Sequence, residues 1–120
     1  MNSASTKELK LRVWDNREMH YFPCITEWDI KDFSEFSRMI HKGCRVMQFT
    51  GLKDKDGEEI YEGDIIQRFD TDKGLAVIWH EDIAAYGFTE ITSYIFDQHF
   101  ASRHYKYAGN IYQNPELLSA

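Results

Sequence analysis

The sequence has few of the residues that mark specialised protein classes. Only two of its 120 residues are proline and two are cysteine, Cys24 and Cys44. These cysteines show neither the paired spacing of metal ligands nor the density of a secreted disulfide scaffold. No apolar run approaches the roughly twenty residues that a membrane-spanning helix needs. We therefore expect a reduced, cytosolic protein without a membrane partner.

Catalytic signatures are also absent. Neither Gly-x-Ser-x-Gly, nor Ser-x-x-Lys, nor a phosphate-binding loop occurs in the chain. The five histidines have no His-x-x-x-His spacing; they are His20, His41, His80, His99 and His104. A metal site could be assembled only if distant residues such as Cys24, His41 and Cys44 converged. The sequence therefore assigns no catalytic, cofactor-binding or metal-binding residue and implies no cofactor, and an enzyme is the weakest of three functional hypotheses.

The charge is acidic, with 20 Asp and Glu against 14 Lys and Arg and a formal net charge of −6. Proteins that bind duplex nucleic acid rely on cationic surface to release counterions, so this balance disfavours a nucleic-acid partner. The alternative hypothesis, binding to single-stranded nucleic acid, would use aromatic side chains that stack on bases, namely Trp14, Trp28, Trp79, Tyr21 and Tyr86. The basic side chains available to it are Lys10, Arg12, Arg45 and Arg68.

Hydrophobic residues are plentiful, at 42% of the chain, and aromatic residues alone make up 15%. This composition lies well outside that of disordered chains and supports a packed core. The length suits one domain that spans residues 1–120, and we expect the polar residues 1–7 to be disordered.

Local patterns predict one helix and several strands. Leu11 and Val13 alternate with charged residues and predict a strand, and Met19–Phe22 returns as a second strand after a polar turn. Asp32, with Glu35 three residues later, predicts the start of an amphipathic helix over about 31–41. Its apolar stripe, expected to lie against the sheet, consists of Ile30, Phe33, Phe36, Met39 and Ile40.

The second half of the chain reads as further short strands separated by turns. Strands are predicted over 45–50, 65–69, 75–79, 87–92 and 105–112, with 75–79 returning as the hairpin partner of 65–69 after a turn at 70–74. Residues 93–103 fit a helix or a strand equally well. Asn114 followed by Pro115 predicts a short C-terminal helical turn. The chain is therefore predicted to be mainly β, a β-rich α+β fold built as a twisted antiparallel sheet or a small β-barrel.

The densest polar segment lies in the loop predicted for 51–59 and in the turn after it. Its acidic residues are Asp54, Asp56, Glu58, Glu59, Glu62 and Asp64. Asp54-x-Asp56 begins like a calcium-binding EF-hand loop, but Glu59 replaces the required glycine and Ile65 replaces the final glutamate. We therefore interpret the segment as a solvated hairpin tip, with Asp56-Gly57 as its turn.

Two motifs carry a family resemblance. Residues 50–66 read TGLKDKDGEEIYEGDII, and residues 107–118 read YAGNIYQNPELL. With the opening LKLRVWDNREMHYF, the chain resembles the YopX family of small phage and prophage proteins from residue 9 to 118. The resemblance implies a protein of temperate phages or mobile elements that acts in the bacterial cytoplasm and associates into homo-oligomers. It supplies no catalytic residues, and both motifs are interpreted as determinants of the fold.

The first functional hypothesis is therefore a non-enzymatic phage accessory protein that binds itself and an unidentified host or phage protein. The alternative is a nucleic-acid-binding protein of phage replication or transcription.

Overall fold

A computed structural model describes residues 10–27, 29–68, 74–81, 85–88 and 105–118. The strands are β1 (Leu11–Trp14), β2 (Met19–Phe22), β3 (Arg45–Lys53), β4 (Glu59–Tyr61), β5 (Asp64–Arg68), β6 (Gly74–His80), β7 (Ala85–Phe88) and β8 (Tyr105–Asn110). Helix α1 spans Phe33–His41, and a 3₁₀ turn spans Pro115–Leu118. The predicted mainly β fold, with its one helix and its C-terminal turn, is confirmed.

The strands of the described ranges form two antiparallel four-stranded sheets and no closed barrel. Their orders are β2-β1-β3-β4 and β7-β6-β5-β8. The chain divides into two compact units, Met1–Gly51 and Leu52–Ala120. In the parts of the chain that can be described, no helix has the length and apolar character needed to cross a membrane.

In the first unit, α1 packs against the β1–β2 hairpin. Val13, Ile30 and Phe36 form its buried cluster, and Phe22 stacks on Phe36 with ring centroids 5.7 Å apart. In β1, Val13 lies opposite His20 in β2. Leu11 is two residues from Val13 and therefore lies on the same face of β1, where it packs against the buried cluster. Burial of these side chains supplies most of the stabilisation of the helix, as is usual for so short an element.

The start of α1 follows from its capping residues. The Asp32 carboxylate accepts a hydrogen bond from the Glu35 N–H at 2.9 Å, as predicted, and α1 therefore begins at Phe33. The Glu35 carboxylate accepts from the Lys31 N–H at 3.1 Å instead of from Asp32. The predicted stripe was wrong at two positions, because Phe33 and Ile40 are exposed while Phe36 is buried. A nine-residue helix on a narrow hairpin covers fewer apolar positions than its period allows.

In the second unit, β5 is flanked by β6 and β8. Ile65 pairs with Ala76 in the predicted β5–β6 hairpin and with Gly109 in β8. Ile66 pairs with Tyr107, so Ala108 is an extra residue that forms a β-bulge. The buried cluster of this unit consists of Ile60, Ile66, Leu75, Val77 and Tyr105.

Several predicted boundaries differ from the structure. Strand β3 continues to Lys53 through Gly51, which adopts a φ of +87° that glycine tolerates. The predicted loop 51–59 therefore shrinks to five residues and yields the short strand β4. Strand β7 begins at Ala85 instead of Gly87, and β8 ends at Asn110. Residues 1–7 and 93–103, and the predicted strand end at 89–92, lie outside the described residues.

Candidate functional site

The segment between β2 and α1 is organised by one carboxylate, that of Asp29. Its Oδ1 accepts the Tyr21 N–H at 2.9 Å, and its Oδ2 accepts the N–H groups of Ile25 at 3.0 Å and Thr26 at 2.9 Å. The Thr26 hydroxyl donates to the same Oδ2 at 3.3 Å. Asp29 thereby ties the loop to β2 and fixes the backbone that carries Ile25.

Asp29 is only 5% exposed, and its burial by itself would raise the pKa of its carboxyl. The N–H groups of Tyr21, Thr26 and Ile25 favour the charged form and outweigh that effect, so the pKa of Asp29 lies below its ordinary value. The carboxylate is therefore charged at neutral pH.

The same contacts close the outer edge of β2. Strand β2 stands at the end of its sheet, and an uncovered edge is a template for pairing with another chain. The Tyr21 N–H is bound by Asp29, and the Tyr21 carbonyl accepts the Ile30 N–H at 3.1 Å. Strand addition at the centre of β2 is therefore blocked.

A second aspartate closes an edge of the other sheet. In β8, the Tyr107 N–H donates to Asp54 Oδ2 at 2.8 Å, and the Tyr105 carbonyl accepts the Lys55 N–H at 3.1 Å. Asp54 Oδ1 accepts the N–H groups of Asp56 and Glu58 at 2.8 and 2.9 Å. One side chain thus shapes the β3–β4 turn and caps β8.

This role corrects the interpretation of the acidic segment as a solvated tip. Asp54 and Asp64 are buried, and Asp64 Oδ2 accepts the Tyr61 N–H at 2.7 Å across the turn at Glu62-Gly63. Asp56 and Glu58 are exposed as expected. Both buried carboxylates serve turns of the fold, which is a structural role for the motif at 50–66.

The second motif also makes structural contacts. Asn110 Oδ1 accepts the N–H groups of Tyr112 at 3.0 Å and Gln113 at 2.9 Å, immediately after β8. The Asn110 N–H in turn donates to Asn114 Oδ1 at 3.2 Å. Residues 110–114 therefore form a turn held by two asparagine side chains, from which the C-terminal 3₁₀ turn begins.

A surface cavity of about 500 Å³ lies beside β2 in the first unit. Its lining consists of Glu18, Met19, Tyr21, Ile25, Thr26 and Asp29. Apolar and aromatic groups therefore share the cavity with two carboxylates, and none of the lining residues is basic.

Two large apolar side chains of the same unit are exposed to solvent. Ile25 is 74% exposed and Phe33 is 72% exposed, and they lie in the segment that Asp29 organises and at the first residue of α1. The Phe33 ring packs against the buried Phe36 ring with centroids 5.9 Å apart, and this contact supports its position. Large exposed apolar side chains can act as anchors at protein-binding surfaces.

The turn between β1 and β2 contributes the exposed Glu18 to the edge of the cavity. Asp15 Oδ1 accepts the N–H groups of Arg17 and Glu18 at 2.8 and 2.7 Å, and Oδ2 lies 2.7 Å from His20 Nε2. Burial would raise the pKa of Asp15, but the Glu18 N–H, the imidazole and the Arg17 N–H together lower it to about 2. Asn16, at a φ of +80°, completes this turn.

The sequence-based metal candidates do not form one site. Cys24 is exposed, Cys44 packs against the helix cluster, and His41 Nδ1 donates to the Ser37 carbonyl at 2.8 Å. Across the described ranges, no three His, Cys, Asp or Glu side chains are placed to hold a metal ion. His99 and His104 lie outside those ranges.

The residues considered for nucleic-acid binding fall into two groups. Arg12, Trp14, Tyr21 and Arg45 lie on one face of the first sheet, since Arg12 pairs with Tyr21 and Trp14 pairs with Arg45, whereas Trp79 and Tyr86 lie in the other sheet. Arg12 is buried and unavailable for phosphates, and Lys10 Nζ lies 5.2 Å above the Phe49 ring. Trp79 is 45% exposed and meets Tyr86 edge-on, with ring centroids 5.0 Å apart. Trp14 and Tyr21 are half-buried and Arg45 is exposed, whereas Trp28 and the Arg68 side chain lie outside the described part.

Charge is distributed unevenly between the two units. The first unit has eight Lys and Arg against seven Asp and Glu, whereas the second has six against thirteen. The exposed Trp79 and its half-buried neighbour Tyr86 therefore belong to the strongly acidic unit, and the exposed Ile25 and Phe33 belong to the nearly neutral one.

Sequence reasoning missed the cavity and the role of Asp29. The spacing of Thr26 and Asp29 is that of a side-chain-capped turn and could have suggested the local bonds. The contact with Tyr21, eight residues away, has no counterpart in the sequence pattern.

Comparisons with known proteins agree on the fold. A family model described as YopX protein matches residues 10–119. A crystal structure of protein EF1440 from Enterococcus faecalis is similar, with a TM-score of 0.64 and 22% identity, over 94% of this chain and 99% of that one. At this identity the likeness shows the fold alone. No curated protein matches the chain significantly.

Proposed function

The chain belongs to the YopX family, and we propose that it is a phage or prophage accessory protein that acts as a non-enzymatic protein-interaction module in the bacterial cytoplasm. In this proposal it assembles with copies of itself and binds a host or phage protein. The observation that carries the proposal is the exposure of two held apolar side chains, Ile25 and Phe33.

Both side chains are suited to act as anchors. Full burial of an Ile or Phe side chain contributes about 1.5–3 kcal/mol, and roughly three quarters of that gain is still available at these two positions. Asp29 fixes the backbone at Ile25, and the ring of Phe36 supports Phe33. A partner would therefore lose little free energy in ordering the backbone at Ile25 and the ring of Phe33 on binding.

Side-chain contact is favoured over strand addition at the edges of β2 and β8. On the outer edge of β2, Asp29 and Ile30 already bind the N–H and carbonyl groups of Tyr21. On the outer edge of β8, Asp54 binds the Tyr107 N–H and Lys55 binds the Tyr105 carbonyl. An interaction module that uses Ile25 and Phe33 would leave both capped edges intact.

The test compares the wild type with Ile25→Ser, Phe33→Ser and the double variant by native mass spectrometry and light scattering. We expect the wild type to form a defined oligomer and each substitution to weaken assembly about tenfold, since each removes an anchor. Leu118→Ser, which replaces an exposed apolar side chain of the second unit, is the matched control and should leave assembly unchanged.

Two results would contradict this proposal. One is a wild type that stays monomeric at about 100 μM and carries no other protein, a concentration at which even weak oligomers form. The other is a loss of assembly in Leu118→Ser as large as in the double variant.

A second proposal, nucleic-acid binding in phage replication or transcription, has one observation in its favour. The exposed Trp79 of β6, which meets the half-buried Tyr86 of β7 edge-on, offers an aromatic surface for stacking with single-stranded bases. The acidic charge of that unit opposes it. Quenching of tryptophan fluorescence by oligothymidine at low salt, lost in Trp79→Leu, would support it, and no quenching would rule it out.

A further inference from the structure

The cavity beside β2 combines an apolar lining with two carboxylates, and we propose that it receives the basic side chain, an arginine or a lysine, of a partner protein. This inference rests on the proposed function and deepens it, because it names the chemistry of one contact in the interface.

The lining of the cavity carries carboxylate groups. Glu18 and Asp29 both belong to it, and among the described residues that line the cavity there is no lysine, arginine or histidine. The hydrogen bonds to Asp29 come from neutral N–H and hydroxyl groups, which stabilise its negative charge but do not neutralise it. The buried Arg12 pairs with Tyr21 across the hairpin but is not itself among these lining residues. The two carboxylates therefore favour a cation in the cavity.

The lining suits a basic side chain better than a metal ion. A metal ion would need several oxygen ligands, yet Asp29 Oδ2 already accepts three hydrogen bonds. Met19 and Ile25 instead offer apolar surface for an alkyl stem, and the lining also includes Tyr21, an aromatic residue of the kind on which a guanidinium stacks. An arginine or lysine side chain matches this combination because its charged head follows an apolar stem.

The cavity lies beside the exposed residue Ile25. Ile25 lines the cavity and is also one of the two exposed anchors, so a partner that covers Ile25 also reaches the cavity mouth. Glu18 lies at the rim, in the turn that Asp15 holds, where its carboxylate can pair with the head of the entering side chain. A volume of about 500 Å³ is within the usual range for ligand cavities.

The test uses N-acetylarginine-N′-methylamide as the probe and its neutral citrulline analogue as the comparison, with the full chain labelled by ¹⁵N. We expect amide shifts centred on Tyr21, Ile25 and Thr26 at millimolar probe, as for an isolated contact. The citrulline analogue should bind at least about tenfold more weakly, because it lacks the charge.

Two matched variants are used. Glu18→Gln removes an exposed carboxylate from the cavity lining, and Glu58→Gln removes an exposed carboxylate from the other unit. Glu18→Gln should weaken arginine binding about fivefold, and Glu58→Gln should not change it. Equal binding of the two probes, shifts centred elsewhere, or equal effects of the two variants would overturn the inference.

Failure of this inference is distinguishable from failure of the proposed function. If Ile25→Ser and Phe33→Ser abolish assembly but the arginine probe does not bind, the cavity assignment is wrong and the interaction module stands. If the probe binds to a protein that neither assembles nor captures a partner, the assignment of the cation to a partner protein is overturned.

Discussion

Removal of the Asp54 carboxylate should destabilise the protein strongly, although it lies in a surface turn. The side chain is 3% exposed and accepts three backbone N–H groups, those of Asp56, Glu58 and Tyr107. In Asp54→Ala these donors lose their acceptor, and each buried donor left unsatisfied costs about 1–3 kcal/mol. Water can reach the exposed Asp56 and Glu58, so we expect a total loss of about 2–4 kcal/mol in the free energy of unfolding.

Asp54→Asn should not rescue this loss, although it keeps the shape of the side chain. Oδ1 accepts from Asp56 and Glu58, and Oδ2 accepts from Tyr107. An asparagine has a single acceptor oxygen, so its NH₂ group must face at least one donor in either orientation. We expect Asp54→Asn to lower the free energy of unfolding by at least about 1 kcal/mol, because one backbone N–H then faces the NH₂ group instead of an acceptor.

The assay is urea unfolding followed by circular dichroism, with Asp56→Ala as the control in the same turn. Asp56 is exposed, and its side chain can be removed without loss of the three bonds to Asp54. The control should change the free energy of unfolding by less than about 0.5 kcal/mol. If Asp54→Ala and Asp56→Ala differ by less than that, the closure of β8 by Asp54 contributes nothing to stability and the reasoning is refuted.

Two further predictions concern the first unit. The pKa of Asp15 is lowered from 3.8 to about 2 in the folded chain, so its carboxylate stabilises the fold above about pH 4 and loses that contribution as the pH falls through 2. Asp15→Asn should flatten the pH dependence of the free energy of unfolding between pH 2 and 5, and an unchanged slope would contradict this. Phe36→Asp should lower the free energy of unfolding by at least about 3 kcal/mol, because it places a charge in the helix–hairpin core, whereas Phe33→Asp should cost less than about 1 kcal/mol. Melting curves that shift equally for these two variants would show that the assignment of the helix faces is wrong.

Local chemistry determined the elements that sequence reasoning predicted well. Asp32 and Glu35 mark the start of α1, and alternation marks β1 and β2, because capping and side-chain period act within a few residues. The β5–β6 hairpin was predicted for the same reason. The apolar stripe of α1 was only partly correct, since the partner surface decides which apolar residues are covered, and Phe33 lies beyond it.

Contacts between distant residues explain what the sequence did not predict. Asp54 reads as a solvated acid until Tyr107, 53 residues later, is placed beside it. Likewise, the local spacing of Thr26 and Asp29 gives no sign of the bond from the Tyr21 N–H to Asp29, and both Tyr21 and Asp29 line the candidate cavity. The continuation of β3 through Gly51 was missed because glycine in a polar stretch normally signals a turn.

The pairing of β5 with β8 has a consequence for synthesis on the ribosome. Strand β5 ends at Arg68, and the strand that covers its second side begins only at Tyr105. At elongation rates of about 5–20 residues per second, the nascent chain leaves that side of β5 without β8 for roughly 2–7 seconds. During this interval Ile65 and Ile66, both fully buried later, are accessible to chaperones and to neighbouring nascent chains.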